Sequence, residues 1–405
     1  MSSFKRKPKS TTGDASSSNK PTSEAATPLT VYPGTRISPA STLSLVTSTG
    51  ISSLDDILGG GLPLSCSLVI AAPDMHSSYG ELVQKNFVAQ GLASGQRVCV
   101  VGADASAWVR EVMWMPDARG VPVRTSGGAE RRQGDSDEEE KESEKAHGGK
   151  VTIAWRYEKM RQFQTTTSQE GETFCAPFEL GSRVPEEVIA EAVGERRLTF
   201  VEVGRRVEDV LRSIAQELAM ENALPVRICV PWLGTPAWGD LTPQDVLYFL
   251  HALRSLLRSH THGCASVGLA PQMSAAGWGG AGWMDKVGWA ADGALMVAAF
   301  SANPALSSMF PGHHGLLQTQ RLPAPHTLLA PSDRFSTLRG LGGSGENNLA
   351  FRCTRKRLVF ETLHLDVEGG TAERRTTAAA GTGQGPGTGP GRPKKKRVGF
   401  SDDLY

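Results

Sequence analysis

Thr49-Gly-Ile-Ser-Ser-Leu-Asp-Asp-Ile-Leu-Gly-Gly-Gly-Leu62 leads into Ser67-Leu-Val-Ile-Ala-Ala72, and Pro73-Asp-Met-His-Ser-Ser-Tyr79 then enters a helix-like segment. Leu54 and Leu58 stand one helical turn apart, and Gly59-Gly60-Gly61 stop that helix where the chain turns with positive φ before a strand. The apolar run after it has strand length. Beyond the loop, Leu82, Val83, Phe87, Val88 and Leu92 line one face of an amphipathic helix, with Gly91 and Gly95 marking its end.

Strand, short polar loop and helix in this order form the place where a P-loop would hold phosphates. The Thr-Gly-x-x-x-Leu-Asp-x-x-Leu-Gly-Gly-Gly-Leu prelude resembles the entry into the ATPase core of RecA-like proteins. The phosphate-binding residues are missing. A P-loop reads Gly-x-x-x-x-Gly-Lys-Ser/Thr; here Asp74 and His76 stand in the loop, Gly80 fills the Lys slot and Glu81 the Ser/Thr slot. Two contacts to charged groups at about 1.5–3 kcal/mol each are lost, roughly two to four decades of affinity. The sequence therefore predicts no ATP binding of the usual kind, no cofactor and no catalytic residue.

The chain has 405 residues, a net charge of +1, 45 Gly and 24 Pro, which leaves room for one large domain together with extensive loop or disorder. Six scattered cysteines without a Cys-x-x-Cys pair argue for a reducing compartment and against a zinc site, so no metal is expected. The N-terminus lacks an apolar leader pattern and the longest apolar run, Ala294 to Phe300, is too short for a bilayer; the reading is intracellular and soluble, without a membrane partner.

Composition divides the chain into a disordered tail at 1–32, a domain at 33–367 interrupted by a disordered acidic insertion at 124–149, and a Gly/Pro-rich linker with a basic tail at 368–405. Within the domain, Arg97–Val101 reads as a buried strand, and Ser106 as the cap of a short helix. Order resumes at Val151-Thr-Ile-Ala-Trp-Arg-Tyr157. Val207, Val210, Leu211, Ile214 and Leu218 have helical spacing, and Val226–Val230 reads as a strand ending at Pro231, where an ATPase would carry its magnesium-binding carboxylate. Proline offers neither a ligand nor a backbone proton there. Thr242-Pro-Gln-Asp245 opens a helix with a capping hydroxyl, proline in the first turn and an acid near the positive end of the dipole. Strands are expected at Ala265–Leu269 and Ala294–Phe300, with strand pairs around 315–329 and 349–367. The fold class is α/β, a mainly parallel central sheet with helices on both faces and antiparallel C-terminal strands.

Ile153-Ala-Trp-Arg-Tyr, Phe174-Cys-Ala-Pro-Phe-Glu-Leu and Leu233-Gly-Thr-Pro-Ala-Trp-Gly-Asp follow the prelude in order. Together they resemble the Elongator complex protein 4 family. The resemblance implies a RecA-like fold without a P-loop, assembly with Elongator proteins 5 and 6 into a heterohexameric ring, tRNA binding, and service to the catalytic Elongator subunits that modify wobble uridine, in cytoplasm and nucleus. Two other functions suit a RecA-like chain: a divergent ATPase, and an accessory factor in DNA recombination or transcription. Loss of both nucleotide motifs speaks against the first, and the Trp-Arg-Tyr and Trp-Gly-Asp signatures against the second.

Trp278, Trp283, Lys286 and Trp289 fall where RecA-like rings place a pore-facing loop, and aromatics beside a cation can stack on RNA bases. The alternative is packing against a neighbouring subunit. Lys394, Lys395, Lys396 and Arg397 suit an import receptor or a nucleic-acid backbone as well as a solvated tail. His76 and the His313-His314 pair lack metal-like neighbours and read as exposed loop histidines; Gly-x-Gly-x-x-Gly matches at Gly277 and Gly340 neither follow a strand nor open a helix.

Overall fold

Thr35–Ser38 (β1), Ser41–Thr47 (β2) and Leu62–Pro63 (β3) pair as a small antiparallel sheet, with Ser52–Ile57 (α1) before its last strand. The computed structural model describes residues 31–115 and 174–363, apart from 205, 221–223, 302, 326, 328–330 and 341–348. The acidic insertion, the Trp-Arg-Tyr segment, the N-terminal tail to residue 30 and the basic tail lie outside the described residues.

Gly59, Gly60 and Gly61 all take positive φ between α1 and β3, and a Cβ at Gly61 would meet the Thr47 carbonyl at 2.7 Å. The triplet thus folds the helix end back beside β2, as the sequence predicts. Asp55 of the prelude is 4% exposed and accepts from the Thr49 N–H and hydroxyl, both at 2.7 Å, and from the Ser48 hydroxyl. Asp56 accepts from the Ser336 hydroxyl and the N–H groups of Thr337 and Leu338. Both carboxylates are structural: one fastens the Thr-Gly entry, the other starts a distant C-terminal turn.

Along the rest of the chain come Ser67–Ala71 (β4), Tyr79–Ala93 (α2), Arg97–Val101 (β5), Ala105–Val109 (α3), Met113–Trp114 (β6), Glu179–Arg183 (β7), Glu186–Gly194 (α4), Leu198–Val201 (β8) and Val207–Ala219 (α5). Then follow Val226–Leu233 (β9), Pro243–Ser259 (α6), Gly263–Leu269 (β10), Pro271–Ser274 (α7), Trp283–Ala290 (α8), Gly293–Ala299 (β11), Pro304–Met309 (α9), Gly315–Arg321 (β12), Thr337–Gly340 (α10), Leu349–Cys353 (β13) and Leu358–Thr362 (β14). A nine-stranded sheet runs β8-β5-β9-β10-β4-β11-β12-β13-β14 among the described residues. Counted from β4 as first, that is 3-2-4-5-1-6-7-8-9. The first six positions are parallel and the C-terminal strands antiparallel, the RecA-like α/β arrangement that the sequence implies.

Strand alternation explains why the central strands are mostly apolar on both faces. Leu68 and Ile70 of β4 join the core under α1 to α4, whereas Val69 and Ala71 join the core under α5, α6 and α8. A strand buried on both faces has no polar side. Thr242 and Asp245 form the capping box of α6, and Val246, Leu250, Leu253 and Leu257 of that helix are fully buried.

Several expectations are corrected. α2 is buried around nearly its whole circumference, including Gln84, Lys85, Asn86 and Gln90, so it is not amphipathic. Gly91 lies inside it: a Cβ there would sit 2.6 Å from Val98 and 2.7 Å from the Arg227 side chain, so the glycine permits close approach to the sheet. Ser106 lies inside α3, which Asp104 precedes in the left-handed region. β9 continues through Pro231 to Leu233; the ladder to β5 has ended before Pro231, and that to β10 is irregular opposite it, so the missing N–H is not needed. Only one strand forms among the described residues of 315–329. The small sheet β1-β2-β3, α4 and β8 were not legible, because they are short or only half-buried.

His262, between α6 and β10, adds a pH prediction. Burial pulls its pKa below 6.5, neighbouring His260 adds to that, and a bond with the Leu218 backbone opposes both. A lowered histidine pKa gives stability that is full above 6.5 and is lost as pH falls. Thermal midpoints measured between about pH 7.5 and about pH 5.5 should fall, and His262→Gln should make that fall shallower.

Candidate functional site

Ala72 to Ser78 leaves the C-terminal end of β4, in the position where strand and following helix would cradle phosphates. The loop is anchored at its start by the Ala72 N–H, which donates to the Ser274 hydroxyl at 3.0 Å; that hydroxyl in turn lies on the Leu269 and Ala270 carbonyls beyond β10. Asp74 is buried, and the His76 N–H donates to its Oδ1 at 2.9 Å. Burial pushes the Asp74 pKa up, but the His76 N–H and the Ser301 and Ser77 hydroxyls outweigh it, so the group stays below the ordinary carboxylate value. A fixed negative charge thus occupies the loop. The His76 side chain is exposed.

Gly80, in the Lys slot, is buried in the first turn of α2, and any Cβ there would stand 2.7 Å from the Ala72 Cβ. The slot is sterically closed to a larger side chain as the backbone stands. Glu81, in the Ser/Thr slot, is engaged within the protein: its Oε1 accepts from Trp108 Nε1 at 2.8 Å and from Lys85 Nζ at 3.0 Å. Lys85, the cation nearest in sequence, also bonds Glu111 at 2.9 Å, which holds the Glu111 carboxyl below its usual value. Tyr79 closes the far side, its ring centroid 4.8 Å from Phe351 and 5.9 Å from His314. His314 itself is tied in, with Nδ1 accepting from the Cys353 N–H, and His313 pairs with Glu361. Pro231 is a buried member of β9.

Protein groups therefore occupy the position where a P-loop would stand. A carboxylate holds the loop, ion pairs with Glu81 and Glu111 engage Lys85, and Tyr79 packs on Phe351 at the helix start. Among the described residues no group of three or more His, Cys, Asp or Glu is arranged to hold a metal ion. No helix among them is long and apolar enough to cross a membrane.

The Gly/Trp stretch after β10 is two short helices joined by turns at 275–282, which carry Trp278. Trp283 is 1% exposed in the core under α6, and its Nε1 donates to the Met273 carbonyl at 2.7 Å. Trp278 is half-buried against it, ring centroids 5.0 Å apart. Trp283 cannot offer a face to a base, nor to a neighbouring subunit. Lys286 is exposed, with Nζ 3.5 Å from the Gly279 carbonyl. Trp289 differs from the other two tryptophans: it is 72% exposed, with the Arg321 guanidinium 4.6 Å above its ring. The spacing Trp283, Met284, Val287 was the signal that separates the buried face of α8 from the face bearing Lys286 and Trp289. Arg321 and Arg254, distant in sequence, gave no signal.

The PAXNEB protein family matches residues 28–400. Elongator complex protein 4 of Dictyostelium discoideum is 24% identical over 366 residues, covering 81% of this chain and 76% of the relative. Those of Mus musculus and Xenopus laevis are each 25% identical, covering 79% and 82% of this chain and 77% and 82% of theirs. Among solved structures, a KaiC-like protein of Pyrococcus horikoshii covers 78% of this chain and 98% of its own at 11% identity and a TM-score of 0.41. The fold assignment rests on the strand order instead.

Proposed function

The chain belongs to the PAXNEB family, and from that premise we propose that it serves the Elongator complex as a non-catalytic RecA-like subunit. In this reading it assembles with Elongator proteins 5 and 6 into a heterohexameric ring that binds tRNA, and it supports the catalytic subunits in wobble-uridine modification, in cytoplasm and nucleus. The observation that carries the reading is the match to curated Elongator complex protein 4 relatives over about four-fifths of the chain. The occupied P-loop position supports a non-catalytic role: a triphosphate would meet Asp74 and Glu81 with Lys85 already engaged.

Mass spectrometry of what co-purifies with the tagged chain from its own cells at moderate salt tests this. Expected are two further RecA-like ring subunits in comparable amount, the catalytic Elongator subunits in lower amount, and tRNA. Recovery of recombination or transcription factors without them overturns the Elongator reading. Micromolar magnesium-ATP binding by the isolated chain would overturn the non-catalytic part alone.

A further inference from the structure

At the opposite end of the sheet from the loop after β4, where β4 and β11 begin, two arginines pair with one buried carboxylate and a third, Arg321, lies near enough to feel its charge. Asp292 is 3% exposed; its Oδ2 accepts from the Ser67 N–H at 2.9 Å, and its Oδ1 pairs with Arg254 Nε at 3.0 Å and Arg258 at 2.5 Å. Arg254 also donates to the Trp289 carbonyl at 3.1 Å, and Arg321 to the Gly288 carbonyl at 3.3 Å. Among the described residues Arg321 makes no ion pair with a carboxylate, and its guanidinium carbon stands 4.6 Å from the Trp289 ring centroid. Burial lowers its pKa first, and the proximity of Arg254 adds to the effect, so two cations are held side by side with one acid beneath them.

Trp289 is more open than any other Trp, Tyr or Phe among the described residues. One ring face carries Arg321, whose guanidinium is held by the Gly288 carbonyl, and the Trp289 backbone is held by Arg254. We infer that this patch, Trp289 backed by Arg321 and flanked by Arg254, Arg258 and Lys286, is a docking site for an unpaired stretch of RNA, one base stacking on the indole and its phosphates meeting the cations.

Charge complementarity favours a polyanion: among the described residues the ion pairs of these four cations reach one acid, Asp292, which Arg254 and Arg258 already share, while α8 itself carries one acid, Asp285. A protein partner of ordinary interface size would want an apolar centre, yet Trp289 is the only large apolar side chain exposed on α8, and β12 exposes none. Unpaired bases are read by stacking on aromatic rings or on Arg planes, and here one is laid on the other in advance. The inference rests on the RNA-binding part of the proposed function and names where on this chain it occurs: not at Trp283, and not at the loop after β4.

The test uses the assembled complex carrying the full chain, with fluorescence anisotropy of labelled tRNA, a short single-stranded RNA and an RNA duplex. Trp289→Ala should weaken binding of tRNA and of the single strand by about 5- to 150-fold, the loss of one stacked base. Trp289→Phe should retain most of the affinity, and Arg321→Gln should flatten the dependence on salt by about one phosphate contact. Equal binding by wild type and Trp289→Ala overturns this inference while leaving the proposed function intact. A wild-type complex that binds no tRNA overturns both. If Trp289→Ala instead reduces recovery of the other ring subunits at unchanged RNA affinity per assembled complex, the patch is a protein interface and the RNA assignment is wrong.

Discussion

Replacing Arg227 with Ala is expected to destabilise the chain by about 3–5 kcal/mol, the cost of emptying a large buried site and stripping its acceptors of their donor. Arg227 is fully buried at the second position of β9, an unusual place for a charge. Its Nε donates to Gln96 Oε1, one terminal nitrogen to the Phe87 carbonyl at 3.1 Å and the other to the Thr47 hydroxyl, and the guanidinium lies 4.7 Å over the Phe87 ring. Gln96 reaches on to the Pro33 carbonyl, and Thr47 to Gly34. One side chain therefore ties the central sheet, α2 and the start of β1 together. Arg227→Lys should lose nearly as much, because a single ammonium cannot span three separated acceptors. Arg227→Met should lose less, since it refills the volume without burying a charge. Urea unfolding of the three variants checks the order; an Arg227→Ala midpoint equal to that of the wild type would mean that this network contributes nothing.

Trp283→Ala carries the second large effect, again about 3–5 kcal/mol, but with a functional corollary. The indole fills the core between α8 and α6, and its removal also strips Trp278 of its ring partner and the Met273 carbonyl of its donor. The midpoint of thermal unfolding should drop by roughly 10 °C, with Trp283→Phe losing about a third of that. RNA affinity per folded molecule should stay unchanged, because the ring is not at the surface. A variant that keeps its stability and loses RNA binding would restore Trp283 as a contact residue. Measured together with Trp289→Ala, the two substitutions separate core tryptophan from surface tryptophan on one helix.

That contrast marks what a linear reading could reach. The Thr-Gly entry, the glycine triplet, the capping box at Thr242 and the apolar strands appear in the structure where periodicity and backbone chemistry put them. These signals are local: a helix stop, a cap or a doubly buried strand depends on a few adjacent residues. The absence of a P-loop was legible for the same reason. How its place is filled was not, because Glu81 meets Trp108 and Lys85 meets Glu111 only after the helix has packed.

The Trp patch shows the same limit. Four residues between Trp278 and Trp289 looked alike as aromatics and a cation in a glycine-rich stretch, and helical packing then divided them into core and surface. Asp292, Arg254, Arg258 and Arg321 come from three separate stretches of chain. The sequence by itself determined the α/β class, the RecA-like entry and the missing phosphate ligands, since these rest on neighbouring residues. Only the tertiary structure decided which charges are paired, which tryptophan is open and where cations collect, because burial and pairing depend on contacts between segments that the order of residues does not bring together.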